Sequence, residues 1–447
     1  MPPLAPPLGF SAGPLYPRLS YDAGGWPKTY PSRLLAALPA GGDSALPDYT
    51  RFYSSLAVGM KASDIRELLK LAEKGDVISL AGGLPDPATF PYEAIAEIAS
   101  YVVKEYGSKA LQYSPTRGVG YFLNAVAEFA RRNGIKVAEE DGVIATVGSQ
   151  QGLYLIGRAL LDPGDMVVME EPAYLGAIQA FRVTGARFLT VPIDEQGLKT
   201  DILEEKMRSL SPEERRRAKI VYTVATCNNP AGTTMPEERR KHLLEIAEEY
   251  DLLIVEDDPY RYITFEQVEA RPIKTLDESG RVIYMSSFSK ILAPGLRLGW
   301  IVAPEPIVNK LELVKQAVDL HTPSLTQYIA AEAINRGIID EHIPRIRSLY
   351  KTKRDALLEA LERYMPEGVE WTRPIGGFFV WVWFPEKVNT RELLKKAVEK
   401  GVAFVPGDAF YPNGGGWSTA RLNFSYPPRE VFDEAIARLR EALDELL

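Results

Sequence analysis

Lys290 stands at the end of a short apolar segment, and Arg297 follows it seven positions later. Two hydroxyl side chains, Ser287 and Ser289, come just before the lysine. A lysine amine can form a Schiff base with an aldehyde when its surroundings remove its proton. Serine hydroxyls and a planar guanidinium are good donors to phosphate oxygens. This run therefore predicts a nucleophilic amine beside an anion site, although a lone lysine is more commonly a solvated surface charge.

Three further apolar segments end in residues that could bind the same ligand. The turn at residues 148–152 opens a helix whose free N–H groups suit a phosphate, although a serine there is commonly only a cap. Asn229 follows the next segment, in a sequence that also specifies an ordinary turn. Asp257 and Tyr260 follow the third, where a buried carboxylate needs a cationic partner to stay charged. Pyridoxal 5′-phosphate (PLP) would satisfy all these groups, because it carries a phosphate, a basic ring nitrogen and an aldehyde.

The elements that must position these residues alternate along the middle of the chain. Strands are predicted at 143–147, 166–169, 187–191, 219–224, 252–255 and 281–285, and helices at 151–161, 177–183, 201–210 and 236–250. Such alternation is typical of an α/β fold with a mostly parallel central sheet flanked by helices. Ligands of these sheets bind outside the carboxyl ends of the strands. The candidate residues are therefore expected to meet at one edge of the sheet.

The pattern changes near residue 341 to that of a smaller α+β domain. A helix is predicted at 343–364 and is followed by the segments 368–372 and 376–383. After them come a helix at 390–400, strands at 403–405 and 419–424, and a final helix from residue 430. A helix is also predicted upstream, at 63–74. We predict an N-terminal arm at 1–45, a segment at 46–95 that contributes to the small domain and the cleft, a large domain at 96–340 and a small domain at 341–447.

Composition excludes several classes of function. The 447 residues carry a net charge of −8, which argues against non-specific nucleic-acid binding. The single cysteine, Cys227, excludes an internal disulfide, and the three histidines have no metal-ligand spacing. The sequence shows neither a signal-peptide pattern nor an apolar run long enough to span a membrane. We therefore expect a cytoplasmic protein that binds small molecules and needs neither a metal, a membrane nor a nucleic acid.

The order of motifs along the chain is more specific than any one of them. The motifs are Gly148-Ser149-Gln150-Gln151-Gly152, Pro172-Ala173-Tyr174, Asn229-Pro230-x-Gly232, Asp257-x-x-Tyr260, Ser287-x-Ser289-Lys290 and Arg297. This order resembles that of the class I aminotransferases of PLP fold type I. Stretches at 65–69, 79–85, 111–115 and 419–424 resemble the 2-aminoadipate, kynurenine and aromatic aminotransferase subgroup. The likeness covers roughly residues 50–447.

This resemblance implies a set of cofactor contacts. PLP would be attached covalently to Lys290, whose amine, once released, would move a proton between substrate and cofactor. Asp257 would pair with the pyridine nitrogen and keep it protonated, and Tyr174 would lie against the ring. Asn229 and Tyr260 would hydrogen-bond the phenolic oxygen. The phosphate would be held by Ser149, Gln150, Ser287, Ser289 and Arg297.

The resemblance also implies substrate contacts and an assembly. Arg421 would clamp the substrate α-carboxylate bidentately, with Asn229 also in contact with the substrate. Gly83 would let the N-terminal segment approach the substrate. Arg66 would meet a distal carboxylate or swing aside for an aromatic side chain, although an exposed helix charge explains this residue equally well. Tyr113 would reach the phosphate of a neighbouring subunit, which implies a homodimer with shared active sites.

The function that follows is transfer of an amino group by a ping-pong route. The donor would be 2-aminoadipate, an aromatic amino acid, kynurenine or a glutamate-like amino acid, and the acceptor a 2-oxo acid, in the first place 2-oxoglutarate. One alternative is a PLP lyase or decarboxylase of the same fold. Another is a regulator with an aminotransferase-like sensor domain. Residues 1–50, however, show neither the helix-forming sequence pattern nor the basic charge of a DNA-binding module.

Overall fold

The computed structural model describes residues 49–60 and 77–447. Residues 49–60 contain a 3-10 helix (Thr50–Phe52) and a short α-helix, α1 (Ser55–Gly59). Helix α1 begins at a serine cap: the Ser54 hydroxyl accepts a hydrogen bond from the Ala57 N–H at 3.2 Å. The N-terminal arm predicted at 1–45 and the helix predicted at 63–74, which carries Arg66, lie outside the described residues. Their roles stay predictions.

The second described part, residues 77–447, contains strands and helices in alternation. The strands are β1 (Ile78–Ser79), β2 (Asp141–Thr146), β3 (Met166–Glu171), β4 (Arg187–Asp194), β5 (Gly197–Leu198), β6 (Ala218–Thr223), β7 (Leu253–Asp257), β8 (Val282–Ser287), β9 (Gly299–Pro304), β10 (Glu370–Trp371), β11 (Phe379–Trp383), β12 (Val402–Ala403), β13 (Val405–Pro406) and β14 (Thr419–Asn423). The helices are α2 (Tyr92–Ala110), α3 (Gly120–Arg132), α4 (Gly148–Leu160), α5 (Leu175–Arg182), α6 (Thr200–Ser209), α7 (Pro212–Arg217), α8 (Glu237–Glu249), α9 (Ile273–Leu276), α10 (Glu305–Gln316), α11 (Ser324–Asn335), α12 (Ile338–Tyr364), α13 (Thr390–Glu399) and α14 (Phe432–Asp444). None of the described helices is both long and apolar enough to cross a bilayer.

An eight-stranded sheet in the order β2-β9-β8-β7-β6-β3-β4-β5 dominates this part of the chain. Five adjacent strands of this sheet, β8, β7, β6, β3 and β4, run parallel to one another. Their interiors are continuous apolar runs such as Val167, Val168 and Met169, all fully buried, as expected for parallel strands covered on both faces. The predicted α/β fold with a mostly parallel central sheet is confirmed.

Strand β9 was not anticipated by the sequence pattern, and it runs antiparallel to both β8 and β2. The connection from β8 to β9 is short and contains no crossover helix, and a parallel neighbour would require a longer crossover. The chain reverses at Arg297, whose φ of 50° lies in the left-handed region. The Lys290 loop is therefore held between two paired strands.

The C-terminal part forms a four-stranded antiparallel sheet in the order β10-β11-β14-β13. The single strand predicted at 403–405 is wrong, because the chain forms two short strands in different sheets. Strand β12 pairs in parallel with β1, whereas β13 pairs with β14. Phe404 is fully buried between the two strands, and Pro406 has no N–H with which to extend β13. The pairing of β1 with β12 brings the segment after residue 77 against the C-terminal part of the chain.

Aromatic packing anchors the loop that carries the candidate nucleophile. Phe288, two positions before Lys290, is fully buried. Its ring centroid lies 4.6 Å from that of Trp300 on β9 and 5.9 Å from that of Phe122 on α3. Because the loop is anchored in the core by this ring, its polar residues have little freedom to move away from the sheet edge.

Candidate active site

The carboxyl ends of β3, β6, β7 and β8 open into a cleft of about 460 Å³. Every predicted cofactor or substrate residue between 77 and 447 lines this cleft, with the exception of Tyr113. The lining residues are Gly83, Ser149, Gln150, Tyr174, Leu175, Gly176, Gln179, Val224, Asn229, Asp257, Pro259, Tyr260, Ser287, Ser289, Lys290, Pro294, Arg297, Phe379 and Arg421. Residues from at least five separate segments therefore meet at one sheet edge, as the strand pattern predicts.

The first turn of α4 forms one end of the cleft. The helix begins at Gly148 rather than at the predicted residue 151, because this glycine adopts a left-handed φ of 69° and turns the chain directly into the helix. A Cβ at this position would lie 2.6 Å from Nη2 of Arg297. The Oγ of Ser149 is buried and has no hydrogen-bond partner. Free helix N–H groups, a guanidinium and an unpaired hydroxyl together make an anion site.

Replacing Gly148 by alanine should destabilise the protein, because a left-handed backbone costs an L-residue about 1–2 kcal/mol. We expect the free energy of unfolding in urea to fall by about that amount for Gly148→Ala. Gly120→Ala is the matched control, since Gly120 begins α3 with open space around its Cβ position. That change should leave stability unchanged or raise it by about 0.4–1 kcal/mol. Equal stability of Gly148→Ala and wild type would contradict this account of the turn.

The serines before Lys290 hold each other in place. The Ser287 hydroxyl donates to Oγ of Ser289 at 2.8 Å, and the Ser289 N–H donates to Oγ of Ser287 at 3.1 Å. The Lys290 amine donates to the Gly83 carbonyl at 3.0 Å. Burial, with the nearby positive charges of Arg421 and Arg297, lowers the pKa of Lys290 to about 8. An amine with this pKa is partly unprotonated near neutral pH and can act as a nucleophile.

Asp257 ends β7 as a buried carboxylate with one unused oxygen. Its Oδ2 accepts a hydrogen bond from the Tyr222 hydroxyl at 3.0 Å, whereas Oδ1 has no partner. Burial raises the pKa of Asp257 to about 7, the Tyr222 hydrogen bond lowers it, and the neighbouring Asp258 raises it further. A cationic N–H placed at Oδ1 would pair this carboxylate and favour its charged form.

Arg421 provides a second recognition group in the cleft that holds the Lys290 amine. Its Nη1 donates to Oδ1 of Asn229 at 3.0 Å, and its Nη2 donates to the Ala81 carbonyl at 2.9 Å. The guanidinium carbon lies 4.1 Å from the ring centroid of Phe379. Nε is buried without a partner, and burial lowers the pKa of Arg421 to about 10. A stacked guanidinium with an unpaired donor is suited to a planar carboxylate.

Several supporting residues were missed by the sequence reasoning. Glu170 accepts hydrogen bonds from the Thr223 hydroxyl and the Asn228 amide, both at 2.6 Å. Asn228 in turn accepts from the Ala231 N–H at 3.0 Å, which fixes the turn that carries Asn229. The signal for Glu170 was a pair of glutamates at the carboxyl end of an otherwise apolar strand. Tyr222 and Phe379 carried no such signal, because an aromatic residue in a strand is most simply interpreted as core.

A buried network braces the turn before α4, and it too was missed. The Gln151 side chain accepts from the Val147 N–H at 2.8 Å and donates to Oδ2 of Asp319 at 2.6 Å. The Lys315 amine donates to both Gln151 and Asp319, and its side chain is fully buried. Burial lowers the pKa of Lys315, an effect opposed by the Asp319 carboxylate. The anion end of the cleft is thus held by α10 as well as by its own helix.

Tyr113 lies outside the cleft of its own chain. Its side chain is 78% exposed, and its ring stands edge-on to His321 with the centroids 5.8 Å apart. An aromatic hydroxyl so exposed is available to another molecule. The contact of Tyr113 with the phosphate of a neighbouring subunit stays a prediction.

The chain is similar over most of its length to proteins of one family. The sequence pattern of that family, described as aminotransferase class I and II, matches residues 76–439. The chain belongs to this aminotransferase family. The prediction of a family that performs amino-group transfer on the type I fold is therefore confirmed.

Individual relatives of this aminotransferase cover nearly its whole length. Aromatic-amino-acid aminotransferase 1 of Thermococcus litoralis is 51% identical over 399 residues, which are 89% of this chain and 95% of the relative. The 2-aminoadipate transaminase of Thermus thermophilus is 44% identical over 391 residues, 87% of this chain and 95% of the relative. The solved structure of Pyrococcus horikoshii kynurenine aminotransferase is 48% identical with a TM-score of 0.87, covering 90% of this chain and 98% of that one.

The cleft of this aminotransferase fits PLP on the chemistry of its unpaired groups. Oδ1 of Asp257 and Oγ of Ser149 are both buried and without partners, as a protonated ring nitrogen and a phosphate would require. The Lys290 amine lies in the same cleft and has a lowered pKa, which suits covalent attachment to an aldehyde. Within residues 49–60 and 77–447, no group of three or more His, Cys, Asp or Glu side chains is placed to hold a metal ion.

Proposed function

We propose that this PLP-dependent aminotransferase moves the amino group of 2-aminoadipate, an aromatic amino acid, kynurenine or a glutamate-like amino acid to a 2-oxo acid, with 2-oxoglutarate as the main acceptor. The observation that carries the proposal is the placement of the Lys290 amine, the Asp257 carboxylate and the Arg421 guanidinium around one cleft. The choice of amino donors is supported by the relatives, which include aromatic-amino-acid, 2-aminoadipate and kynurenine aminotransferases.

The chemistry divides between cofactor and protein. When bound, PLP supplies an electron-withdrawing ring that stabilises negative charge at the substrate α-carbon. Lys290 would hold the cofactor covalently, and its amine, once the incoming substrate amine has released it, would move a proton from the substrate α-carbon to the cofactor, a task for which a pKa of about 8 is well matched. Asp257 holds the proton on the ring nitrogen. Both residues are therefore assigned to catalysis, with Tyr260 beside them.

The remaining cofactor contacts orient the ring. Asn229 and Tyr260 hold the phenolic oxygen, and Tyr174 covers one face of the ring. Tyr260 is buried, and burial raises its pKa, so that it remains a neutral donor at physiological pH. The residues assigned to the phosphate are Ser149, Gln150, Ser287, Ser289 and Arg297.

Arg421 binds the substrate α-carboxylate, and Asn229 braces it. Because Asn229 already accepts from Nη1, the guanidinium is held in one plane before substrate arrives. Gly83 lies against Phe379, since a Cβ added to it would be 3.2 Å from the end of that ring. We assign Gly83 to close approach of the N-terminal segment to the substrate.

The active enzyme is proposed to be a cytoplasmic homodimer in which Tyr113 contacts the phosphate of the other subunit. Exposed apolar side chains support an interface near this residue: Leu111 is 66% exposed and Leu320 50%.

The domain division into 1–45, 46–95, 96–340 and 341–447 is part of the same proposal. It is supported by the separate antiparallel sheet of the C-terminal part and by the pairing of β1 with β12.

Single-turnover chemistry tests the proposed reaction. PLP-loaded protein mixed with each amino acid alone should release one equivalent of the matching 2-oxo acid and leave the cofactor in its amine form. Addition of 2-oxoglutarate should restore the aldehyde form and release glutamate. Catalytic production of ammonia would indicate a lyase, and production of carbon dioxide a decarboxylase. Either result would refute the aminotransferase reaction proposed for these donors.

Arg66 is proposed to recognise a distal carboxylate of the substrate. We expect Arg66→Ala to lower kcat/KM for 2-aminoadipate by about tenfold or more, since a charge-assisted contact contributes about 1.5–3 kcal/mol. The value for phenylalanine should change less than about twofold, which makes this donor the internal control. Steady-state kinetics with 2-oxoglutarate as acceptor measures both. Unchanged kinetics with 2-aminoadipate would leave Arg66 as an ordinary surface charge.

A further inference from the structure

Tyr222 is hydrogen-bonded to one of the two carboxylate oxygens of Asp257. It lies in β6, the strand next to β7, and its side chain is fully buried. Its hydroxyl donates to Oδ2 of Asp257 at 3.0 Å, while its ring packs edge-on against Phe181 with the centroids 5.9 Å apart. The phenol therefore occupies one carboxylate oxygen and leaves Oδ1, which has no partner, for the contents of the cleft.

We propose that Tyr222 is a positioning residue, which holds Asp257 ionised and oriented so that Oδ1 keeps the ring nitrogen of the cofactor protonated. The inference rests on the proposed function, because it presupposes that Asp257 pairs with that nitrogen. Tyr222 does not line the cleft, whereas Asp257 does, so the phenol acts on the cofactor indirectly, through its hydrogen bond to Asp257.

Tyr222 matters for the charge of Asp257 because opposing interactions act on the pKa of this carboxylate. Burial and the neighbouring carboxylate of Asp258 raise its pKa, and the Tyr222 hydrogen bond lowers it. A protonated Asp257 carries no negative charge, so it could no longer form an ion pair with the N–H of a pyridinium. A hydrogen bond to a charged oxygen is about twice as strong as one between neutral groups, so the phenol favours the ionised carboxylate. It also restricts rotation of the carboxyl group, which would otherwise be fixed only by packing.

Tyr284 offers a matched control within the same sheet. It lies in β8, on the other side of β7, and its side chain is also fully buried. Its hydroxyl lies 3.4 Å from Oδ2 of Asp258, a carboxylate that does not line the cleft. Tyr284→Phe thus removes a buried phenol hydroxyl from an aspartate one position away, without touching Asp257.

The test uses full-length holoenzyme with PLP labelled with 15N at the ring nitrogen. For Tyr222→Phe, we expect the nitrogen resonance to shift towards the unprotonated position and the dissociation constant for PLP to rise about tenfold. The value of kcat should fall while KM for the amino donor changes little. Wild type and Tyr284→Phe should share one resonance position and one PLP affinity. Thermal unfolding of both variants checks that each is folded.

A double-mutant cycle separates this role from packing. In an Asp257→Asn background, adding Tyr222→Phe should change PLP affinity less than about twofold, because the residue through which the phenol acts is already altered. A full tenfold loss in that background would overturn the inference, as would a protonated ring nitrogen with wild-type affinity in Tyr222→Phe. Failure of wild type to bind PLP at Lys290 is a different result, since it would refute the proposed function and the inference with it.

Discussion

Lys290→Ala is expected to lower kcat for amino transfer by at least about a thousandfold. The variant would lose both roles proposed for Lys290, the covalent attachment of the cofactor and the base that moves the α-proton, and general acid–base catalysis alone contributes about 10²–10⁴-fold. Stopped-flow measurement of the first half-reaction, with PLP-loaded protein and one amino acid, gives the rate directly. Lys310→Ala, which removes an exposed lysine of α10, should retain the wild-type rate.

Chemical trapping identifies the attachment site independently of the rate. Borohydride reduction of wild-type holoenzyme should place the cofactor mass on the peptide that contains Lys290, and reduction of Lys290→Ala should give no labelled peptide. Label on another lysine of the wild type, or a Lys290→Ala variant within tenfold of the wild-type rate, would contradict the assignment.

Arg421→Leu is expected to lower kcat/KM for every amino donor by about 30-fold to several-thousandfold. Loss of one partner from a buried charge pair costs about 2–5 kcal/mol, because the substrate carboxylate would then enter the cleft unpaired. The affinity of the variant for PLP should stay within about threefold of wild type, since the assigned cofactor contacts lie elsewhere. The kcat/KM of Arg421→Lys should lie between those of wild type and Arg421→Leu, because lysine keeps the positive charge but lacks the planar guanidinium.

An amine that lacks a carboxylate distinguishes recognition from general damage to the site. Wild type should process phenethylamine poorly, and Arg421→Leu should process it no worse than wild type does. A large loss with this amine as well would show that Arg421 supports the cleft rather than binding the carboxylate. Kinetics with phenylalanine and phenethylamine, at saturating 2-oxoglutarate, measure the difference.

The parts of the site that the sequence predicted are those attached to strand ends. Apolar runs identified β7 and β8, and the polar residues at or after their carboxyl ends, Asp257 and Lys290, lie in one cleft as expected for a parallel sheet. The residues of β9 form a buried apolar run, but its antiparallel direction could not be predicted, because the direction depends on the left-handed turn at Arg297. The split of residues 403–405 into two strands likewise depends on which partners the chain meets, and tertiary pairing decides this.

Groups that act through the backbone or through another residue escaped prediction for a different reason. The carbonyls of Ala81 and Gly83 accept from Arg421 and Lys290, but every residue has a carbonyl, so no residue type marks these two. The sequence does not mark Tyr222 either, since an aromatic residue in an apolar strand is most simply interpreted as a residue of the hydrophobic core. Only the position of its hydroxyl against Asp257 distinguishes it.

The pairing of β1 with β12 has a consequence for biosynthesis. Ile78 emerges from the ribosome early, yet its strand partner Val402 is translated near the end of the chain, and Ala81 must wait longer still for Arg421. Contacts of such sequence separation form late in folding. A nascent chain can assemble the parallel sheet and present Lys290 while the side of the cleft that Arg421 lines is still incomplete. The order of translation thus delays a finished active site until almost the whole polypeptide has been made.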